Sequence, residues 1–315
     1  MRTILADDAP ERSCAHRIEP MSILVIGEAL IDIVSSDGAP DRYSPGGAPA
    51  NVALGLGRLG DDVELLTDVG DDFHGGFLLA HLRESNVRVH ARPTGSTSTA
   101  RALLSPDGSA EYEFSLRWDP DASLVDRGDW AAIHVGSIAA FLSPGAGAVD
   151  SLLQRGTDSS ALLSFDPNIR PSIIGDQQHA LARFESLASQ VDVVKLSDVD
   201  ADWLYPGQSA EAQIDRILRL GVDLVALTCG SDDSILSTTS ARVKVPTGAV
   251  LVSDTIGAGD TFMTSLVHDL HGSGPQLQGL DEVALTRLGE NASRRAAITV
   301  SRAGADLPWA GEEGA

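Results

Sequence analysis

The chain has 315 residues, 43% of them hydrophobic and 4% aromatic, so it is long enough to bury a large core and has the composition of an α/β enzyme rather than of a disordered or fibrous protein. Its net charge of -22 argues against binding to nucleic acid or to an anionic membrane surface, because neutralising phosphates requires an excess of Lys and Arg. No apolar run reaches the roughly 18 residues of a membrane span, and the two cysteines, Cys14 and Cys229, have neither disulfide nor zinc spacing, so we expect a cytoplasmic protein.

The first 20 residues are predicted to be a disordered extension. They carry scattered charges, lack the apolar segment of a secretory signal, and are followed by a second methionine, Met21. The folded pattern begins at Ile23, and residues 311 to 315 have the character of a frayed tail. We therefore expect one folded domain over residues 21 to 310.

From Ile23 onward, short β-branched runs alternate with longer helical patterns. This rhythm predicts βαβ units and a mostly parallel sheet. Ligands bind at the carboxyl ends of strands in open α/β sheets, so a site is expected at the small and polar residues that end these runs. The runs are ILVIG (23–27), VELLTDVG (63–70), AAIHVGS (131–137), ALLSFDPN (161–168), VDVVKLS (191–197) and VDLVALTCG (222–230).

Two segments, about 33–46 and 97–116, interrupt this rhythm with period-2 alternation and Asp-Gly turn signals. We predict that they form the hairpins of a small β-sheet that stands off the main domain. A sheet of this kind near a site commonly serves as a lid. A hairpin without any function is the alternative.

Several patterns exclude other kinds of site. GLGRLG (55–60) matches the dinucleotide fingerprint, but it lies inside a helical pattern that starts near Pro49 instead of between a strand and a helix. The sequence contains no G-x-x-x-x-G-K-[ST] phosphate loop. The histidines show neither nucleophile nor metal spacing, and we interpret them as surface or core residues. Those after the N-terminal extension are His74, His81, His90, His134, His179, His268 and His271.

The stretch SDTIGAGDTF (253–262) predicts the start of a helix near Gly257, because apolar residues recur after it at helical spacing. The backbone N–H groups of Gly257, Ala258 and Gly259 would be free donors at the positive end of the helix dipole, where small side chains let a phosphate approach. A carboxylate there disfavours anion binding, so Asp260 is predicted to accept a proton from a hydroxyl that attacks phosphorus. The alternative is a glycine-rich turn in which Asp260 only complements the dipole.

DTIGAGDTF resembles the second signature of the ribokinase-like, or PfkB, carbohydrate kinases, and GGAPANVA (46–53) resembles the first. The similarity extends from about residue 23 to 308. It implies a ribokinase-like three-layer α/β/α domain with a mostly parallel central sheet and a small β-sheet lid. Other segments are most similar to the bacterial fructokinase branch, namely GEALIDI (27–33), IHVGSIA (133–139), DPNIRP (166–171) and KLSDVDADWLYP (195–206).

The resemblance implies that Asp260 is the catalytic base, beside the amides of Gly257, Ala258 and Gly259. Asp and Asn suit a sugar site, because their side chains bond hydroxyls in fixed directions. From the residues alone, other interpretations remain open. Asp32 could simply end a strand, the glycine pair with Asn51 could form a loop and a helix cap, and Arg170 could be a solvated loop residue. The residues assigned by resemblance to the sugar or its phosphorylated product are Asp32, Gly46, Gly47, Asn51 and Arg170.

The resemblance also implies ATP, Mg²⁺ and K⁺ as cofactors. The family often has Asn at Ser197 and Glu at Asp200, a pair linked to magnesium and its waters, but Mg²⁺ usually keeps its water shell and needs no fixed protein ligand set. The residues implied for the nucleotide are Lys195, Ser197, Thr228, Gly230 and Ser293. The residues implied for K⁺, through carbonyl groups, are Asp254, Ile256, Thr299, Arg302 and Gly304.

The activity implied is that of an ATP-dependent sugar kinase, with fructose as the first expectation and fructose 6-phosphate as the product. A kinase of 2-keto-3-deoxygluconate or of another sugar would share the catalytic residues and is the nearest alternative. A sugar-binding regulator without catalysis is the alternative of another class. The expected partner is a small-molecule sugar, and pairing of lid strands is a route to a homodimer.

Overall fold

The computed structural model describes residues 21–312 apart from 37–39, 94, 105–109, 126–128, 249, 272–276 and 278. The extension predicted over residues 1–20 lies outside the described residues, as do residues 313–315 of the predicted tail.

The strands are β1 (Ile23–Ile26), β2 (Leu30–Ser36), β3 (Arg42–Gly46), β4 (Val63–Leu66), β5 (Val87–His90), β6 (Thr99–Leu104), β7 (Ala110–Ser115), β8 (Ala132–Gly136), β9 (Leu162–Asp166), β10 (Val193–Ser197), β11 (Leu224–Thr228), β12 (Ser234–Ser237) and β13 (Arg242–Val245). The helices are α1 (Ala48–Leu59), α2 (Phe73–Glu84), α3 (Ala146–Ser159), α4 (Pro171–Ile174), α5 (Gln177–Ala188), α6 (Asp198–Leu204), α7 (Ala210–Leu218), α8 (Ala258–Leu270) and α9 (Glu282–Val300).

The larger sheet has the strand order β13-β12-β11-β10-β9-β8-β1-β4-β5. Its strands are parallel from β11 to β5, and β12 and β13 are antiparallel additions at one edge. Each of the six predicted runs contains one of the parallel strands, so that prediction is confirmed. The runs are continuous in Val, Ile and Leu because a parallel sheet is covered by helices on both faces.

The two faces of the sheet pack into two separate cores. On β1, Ile23 and Val25 belong to the core beneath α1, α8 and α9, whereas Leu24 and Ile26 belong to the core beneath α3, α5, α6 and α7. Successive side chains of a strand point to opposite faces, so one short buried strand serves both cores. The expected three-layer α/β/α architecture is confirmed.

The two interrupting segments form a separate sheet of order β3-β2-β6-β7. β2 pairs antiparallel with β3, β6 pairs antiparallel with β7, and β2 and β6 pair in parallel at its centre. The predicted small sheet is therefore present, and its hairpins cover the two predicted segments. Both hairpins are continuous in sequence with strands or helices of the main domain, so the small sheet stands beside the carboxyl end of β1.

Two helix starts matter for the site. α8 begins at Ala258, after Gly257 in a left-handed conformation with φ of 80°, as the stretch SDTIGAGDTF predicts. α1 contains residues 55–59, GLGRL, so this motif lies within a helix and not in a loop between a strand and a helix. The exclusion of a dinucleotide-binding site is therefore correct. Among the helices of the described residues, none is long and apolar enough to cross a membrane.

Candidate active site

Polar residues converge where the parallel strands end and the small sheet begins. Asp166 ends β9, and Ser197 and Thr228 end β10 and β11 side by side in register. Asp32 lies on β2 of the small sheet, and Asp260 lies in the first turn of α8. The carboxyl edge of the sheet is thus the site that the strand pattern predicts.

A hydrogen bond joins the two signature segments. Asn51, in the first turn of α1, donates from Nδ2 to Oδ2 of Asp260 over 2.7 Å. The two residues are 209 positions apart in sequence, and Asn51 is buried. The bond fixes the direction of the Asp260 carboxylate and leaves its other oxygen, Oδ1, without a hydrogen-bond partner among the described residues.

The pKa of Asp260 is raised above its ordinary value. Burial raises the pKa, while the hydrogen bond from Asn51 and the cations of Lys195 and Arg170 lower it, and the nearby Asp32 carboxylate raises it further. A raised pKa makes a carboxylate a better proton acceptor than a free aspartate. The same side chain is therefore oriented and chemically suited for removing a proton.

The Asp32 carboxylate lies so close to the backbone of Gly46 that no side chain would fit at that position. A β-carbon at Gly46 would overlap Oδ2 of Asp32, and one at Gly47 would stand 2.5 Å from the carbonyl oxygen of Glu28. Gly47 also has φ of 102°, in the region that favours glycine, and it precedes α1. Burial raises the pKa of Asp32 to about 6, and the charge of Arg170 lowers it. The glycine pair lets the carboxylate lie beside the start of α1.

Arg170 is exposed at the start of α4, yet its charge lowers the pKa of both Asp32 and Asp260. Its guanidinium donates to the carbonyl oxygen of Ile169 over 3.0 Å. Arg170 therefore lies within electrostatic range of both carboxylates.

Lys195 forms a buried ion pair at the end of β10. Its Nζ lies 2.8 Å from Oδ2 of Asp166, and both side chains are almost completely buried. Burial raises the pKa of Asp166 to about 6, although Lys195 lowers it. A β-carbon at Gly259 would stand 2.8 Å from the same Nζ. The ammonium therefore lies directly beneath the first turn of α8.

The N-terminus of α8 offers fewer free donors than the sequence predicts. The N–H of Ala258 donates to the carbonyl oxygen of Thr255 over 3.3 Å, because Gly257 closes a turn there. Among the described residues, the N–H groups of Gly257 and Gly259 donate to no protein acceptor. The three-amide anion site is therefore corrected to two free donors, with Ala258 held in a long bond.

The nucleotide residues predicted by resemblance fall into two groups. Ser197 and Thr228 are neighbours at the strand ends, and Gly230 follows with φ of 56°. The Ser197 hydroxyl accepts from the N–H of Asp200 and so caps α6, a use that the sequence did not predict. Ser293 lies in α9, which packs on β12, the neighbour of β11, and on the edge strand β13.

The residues predicted for a monovalent cation lie in two segments that the structure brings together, the loop before α8 and the C-terminal end of α9 with the loop that follows it. The N–H groups of Ser253 and Asp254 both donate to the carbonyl oxygen of Val300, over 2.7 and 3.2 Å. Gly304 donates from its N–H to Oδ2 of Asp254 over 3.0 Å, and Ile256 donates to Oδ1 over 3.1 Å. In the second segment, a backbone hydrogen bond of 3.0 Å joins Thr299 and Arg302.

A family model described as pfkB family carbohydrate kinase matches residues 21–310. The chain belongs to this family. It is 37% identical over 278 residues to the fructokinase of Rhizobium leguminosarum bv. trifolii, covering 84% of this chain and 85% of that relative. Membership identifies this PfkB protein as a phosphotransferase that acts on a carbohydrate and uses ATP.

Solved structures of PfkB kinases agree with the fold. The fructokinase of Xylella fastidiosa with bound ATP has a TM-score of 0.81 and 27% identity, and covers 90% of this chain and 93% of that chain. A double mutant of the Vibrio cholerae O395 fructokinase, in a form with fructose, ADP and potassium ion bound, has a TM-score of 0.79 and 25% identity, covering 92% and 95%. The ribokinase-like architecture expected from the sequence is confirmed.

Sequence reasoning missed two acidic residues of this PfkB site. Asp166 pairs with Lys195, and Glu28 is buried and accepts from the N–H of Ala139 over 3.1 Å. Burial raises the pKa of Glu28 to about 7, and the charge of Asp260 contributes to the rise. Asp166 ends a buried strand and Glu28 lies two residues after one, which is the signal that could have identified them.

The interpretation of the histidines as surface or core residues agrees with the structure at His134, and at two others the structure adds a contact that the sequence does not predict. His134 is a core residue whose Nδ1 lies 3.0 Å from the Ser164 hydroxyl, and burial lowers its pKa to about 3. His268 and His271, by contrast, form a cluster with Asp61 whose geometry suits a metal ion. The sequence conceals it because Asp61 is about 200 positions away from the histidines.

Proposed function

We propose that this PfkB kinase transfers the γ-phosphoryl group of ATP to the primary hydroxyl of fructose, giving fructose 6-phosphate and ADP. The observation that carries the proposal is the hydrogen bond from Asn51 to Asp260, which holds a carboxylate of raised pKa in the first turn of α8. Fructokinases are among the relatives and solved neighbours at or above 25% identity.

The roles of the residues follow from that geometry. Asp260 takes the proton of the hydroxyl as the oxygen attacks phosphorus, and the bond to the leaving ADP oxygen breaks. The free N–H groups of Gly257 and Gly259 face the transferred phosphoryl group, at the positive end of the α8 dipole. The Lys195 ammonium, beneath Gly259, adds positive charge at the same place.

The sugar is proposed to lie between the small sheet and α1, on Asp32, Gly46, Gly47 and Asn51, with Arg170 at its edge. The carboxylates of Asp32 and Asp260 face this space, and the nearby cation Arg170 is exposed. Such a balance of charge suits an uncharged sugar better than a phosphorylated one, because a second phosphate would meet two carboxylates.

The nucleotide is proposed to lie along the ends of β10 and β11, toward Ser293. Magnesium, when bound with ATP, would neutralise phosphate charge. The carboxylate of Asp200 is buried, and its oxygens already accept from the N–H groups of Ile169 and Ser197. It therefore fits a metal that keeps its water shell and not a directly bound one. The Asp166 carboxylate is likewise engaged, in its ion pair with Lys195.

A monovalent cation is proposed for the two segments around Asp254 and Gly304. The carbonyl groups of Asp254, Ile256, Thr299, Arg302 and Gly304 belong to these segments, and carbonyl oxygens are suitable ligands for K⁺. The test is turnover in matched KCl and NaCl. Higher kcat in KCl is expected, and equal kcat would remove the cation from the mechanism.

The small sheet is proposed as a lid that closes on the sugar and excludes water, which would otherwise accept the phosphoryl group. Asp32 and Gly46 belong to the sheet, so a lid movement would carry sugar contacts with it. We further place the enzyme in the cytoplasm, where its ATP is available.

The function is tested by coupled measurement of ADP release from purified enzyme with a panel of sugars. The panel contains fructose, 2-keto-3-deoxygluconate, ribose, a nucleoside and fructose 6-phosphate. The highest kcat/KM is expected with fructose. A higher value with another sugar would reassign the substrate, and no turnover with any of them would favour a sugar-binding regulator.

A further inference from the structure

Three side chains converge at the C-terminal end of α8, at the opposite end from Asp260. Nδ1 of His268 lies 2.8 Å from Oδ2 of Asp61, and Nε2 of His271 lies 3.4 Å from Oδ1 of Asp61. One ligand atom from each of the three residues lies within 4.8 Å of the other two. His268 is eight residues beyond Asp260, so the cluster lies about 12 Å along the helix axis from the base.

The backbone explains why these side chains meet. His268 and His271 are three residues apart, so both project from one face of α8. Gly60 ends α1 with φ of 98°, and the N–H of Asp61 donates to the carbonyl oxygen of Leu56 over 3.1 Å. α1 packs against α8, and Asp61 therefore faces the two imidazoles.

The cluster is accessible on one side. The Asp61 side chain is 9% exposed, whereas His268 and His271 are 28% and 31% exposed. Arg295 of α9, whose charge acts on His268, donates to Ser265 over 2.6 Å and pairs with Asp269 over 3.1 Å. The negative end of the α8 dipole adds to the attraction for a positive ion.

We propose that Asp61, His268 and His271 bind a divalent transition-metal ion of the zinc class, with a fourth position open to water. Two imidazole nitrogens and a carboxylate are a common ligand set for Zn²⁺, and with bonds of about 2.0–2.1 Å a tetrahedral ion holds its ligand atoms about 3.3 Å apart. The two imidazole nitrogens approach different oxygens of Asp61, at 2.8 and 3.4 Å, and one ligand atom of each residue lies within 4.8 Å of the other two, so small side-chain rotations give the spacing that the ion requires. Imidazole ligands select against Mg²⁺, so this site is distinct from the magnesium that accompanies ATP.

The test is metal binding by the untagged full-length enzyme without nucleotide. Co²⁺ is titrated while the visible absorption of tetrahedral cobalt is recorded, and Zn²⁺ binding is measured by calorimetry. The variants are His268→Gln, His271→Gln and Asp61→Asn. His179→Gln is the matched control, because His179 also lies three residues from an aspartate, Asp176, at 3.4 Å, but is 94% exposed and has no second histidine beside it.

One Zn²⁺ per chain is expected, with a rise in Tm on binding. Each variant at the cluster should weaken binding by at least about tenfold to a hundredfold and abolish the cobalt absorption, while the control keeps both. Unchanged sugar phosphorylation with Mg-ATP in His271→Gln shows that this variant is folded. Absence of stoichiometric binding by the wild type, or binding that both histidine variants retain, would overturn the proposal and leave the cluster as hydrogen bonds between α1 and α8.

Discussion

At the scale of single residues, Asp260 is the group on which the proposed chemistry depends. Asp260→Asn keeps the size of the side chain and removes the proton acceptor. We expect kcat to fall on the order of a hundredfold to ten-thousandfold, with ATP affinity retained because a negative charge facing the phosphates is gone. Steady-state kinetics and calorimetry with ATP measure both quantities.

The matched control is Asp281→Asn, at the exposed carboxylate that caps α9 by accepting from the N–H of Ala284. It should cost about 1 kcal/mol of stability at most and leave turnover intact. If Asp260→Asn behaves in the same way, Asp260 only complements the helix dipole and the catalytic assignment is wrong.

Lys195 and Asp166 are expected to be compatible with a stable folded protein only as a pair. Lys195→Met leaves the Asp166 carboxylate buried without its partner, which typically costs about 3–5 kcal/mol. Lys195 lowers the pKa of Asp166, so without it Asp166 takes up a proton at a higher pH than in the wild type, and the loss should be smaller at pH 5 than at pH 8. Urea denaturation at pH 5 and pH 8 measures both effects.

The double variant Lys195→Met with Asp166→Leu separates stability from function. It removes both charges, so most of the lost stability should return, while the missing ammonium beneath Gly259 keeps turnover low. Wild-type turnover in the double variant would show that the pair is structural only.

Glu28 should make stability depend on pH. Its pKa rises from 4.5 to about 7 on folding, so the stabilisation is fully present below about pH 4.5 and is lost as the pH rises through 7. Glu28→Gln removes this dependence. The free energy of unfolding of the variant relative to wild type should therefore improve by up to about 3 kcal/mol between pH 4.5 and pH 8.5.

Chemical denaturation across this pH range is the measurement, and Glu84→Gln on the exposed side of α2 is the control. A difference between Glu28→Gln and wild type that stays constant with pH would mean that Glu28 is charged in the folded protein.

At the scale of elements, the first turn of α8 needs glycine for reasons of space. Gly259→Ala would place a methyl group 2.8 Å from Nζ of Lys195, which Asp166 prevents from moving away. Misplacing a charged group by about 1 Å can cost about a hundredfold in rate, so kcat should fall by about tenfold to a hundredfold.

Gly76→Ala in α2 is the matched helix variant, because an added β-carbon there meets no atom within 4 Å. It should raise stability by up to about 1 kcal/mol and leave kcat unchanged. Thermal melts and initial rates distinguish the two glycines. Equal kcat in both variants would show that the contact with Lys195 is unimportant.

The elements also show what sequence can predict and what it cannot. Buried parallel strands are recognisable by continuous Val, Ile and Leu, and the glycines before Asp260 indicate the helix start, so the fold and the position of Asp260 in the first turn of α8 were both predictable. The Lys195–Asp166 pair depends on the register between β9 and β10, which no local pattern encodes. The Asp61 cluster likewise depends on the packing of α1 on α8.

Competing local roles account for the remaining differences. The resemblance assigns Ser197 to the nucleotide, and its hydroxyl also closes a capping box in the structure, because an acidic residue follows it three positions later. Ala258 was assigned a free N–H, but the turn closed by Gly257 engages it. Both cases show short-range hydrogen bonds competing with long-range ones.

At the scale of the whole molecule, the small sheet presents an aromatic surface. Tyr112 is 62% exposed and Phe114 is 37% exposed, and their rings stack with centroids 6.1 Å apart. They are two residues apart on β7, an edge strand, so they share one face of the sheet. We expect this face to pair with a second copy, and light scattering should give twice the mass of one chain.

Phe114→Glu should shift the mass toward that of a monomer, because it buries a charge in the pairing face. Glu113→Lys, on the opposite face of the same strand, is the control and should leave the mass unchanged. A monomer mass for the wild type at micromolar concentration would end the idea of a lid dimer.

The hydrogen bond between Asn51 and Asp260 also bears on how the protein is made. One partner is synthesised in the first fifth of the chain and the other in the last fifth, so a ribosome must complete almost the whole message before the site can exist. The strand β1 is synthesised first but lies between β4 and β8, so its backbone hydrogen bonds can form only after both of these strands have been synthesised. Long-range pairing of this kind folds slowly. Catalytic activity in a translation reaction should therefore appear only after release of the finished chain, and an amino-terminal fragment ending before Asp260 should expose apolar surface and attract chaperones.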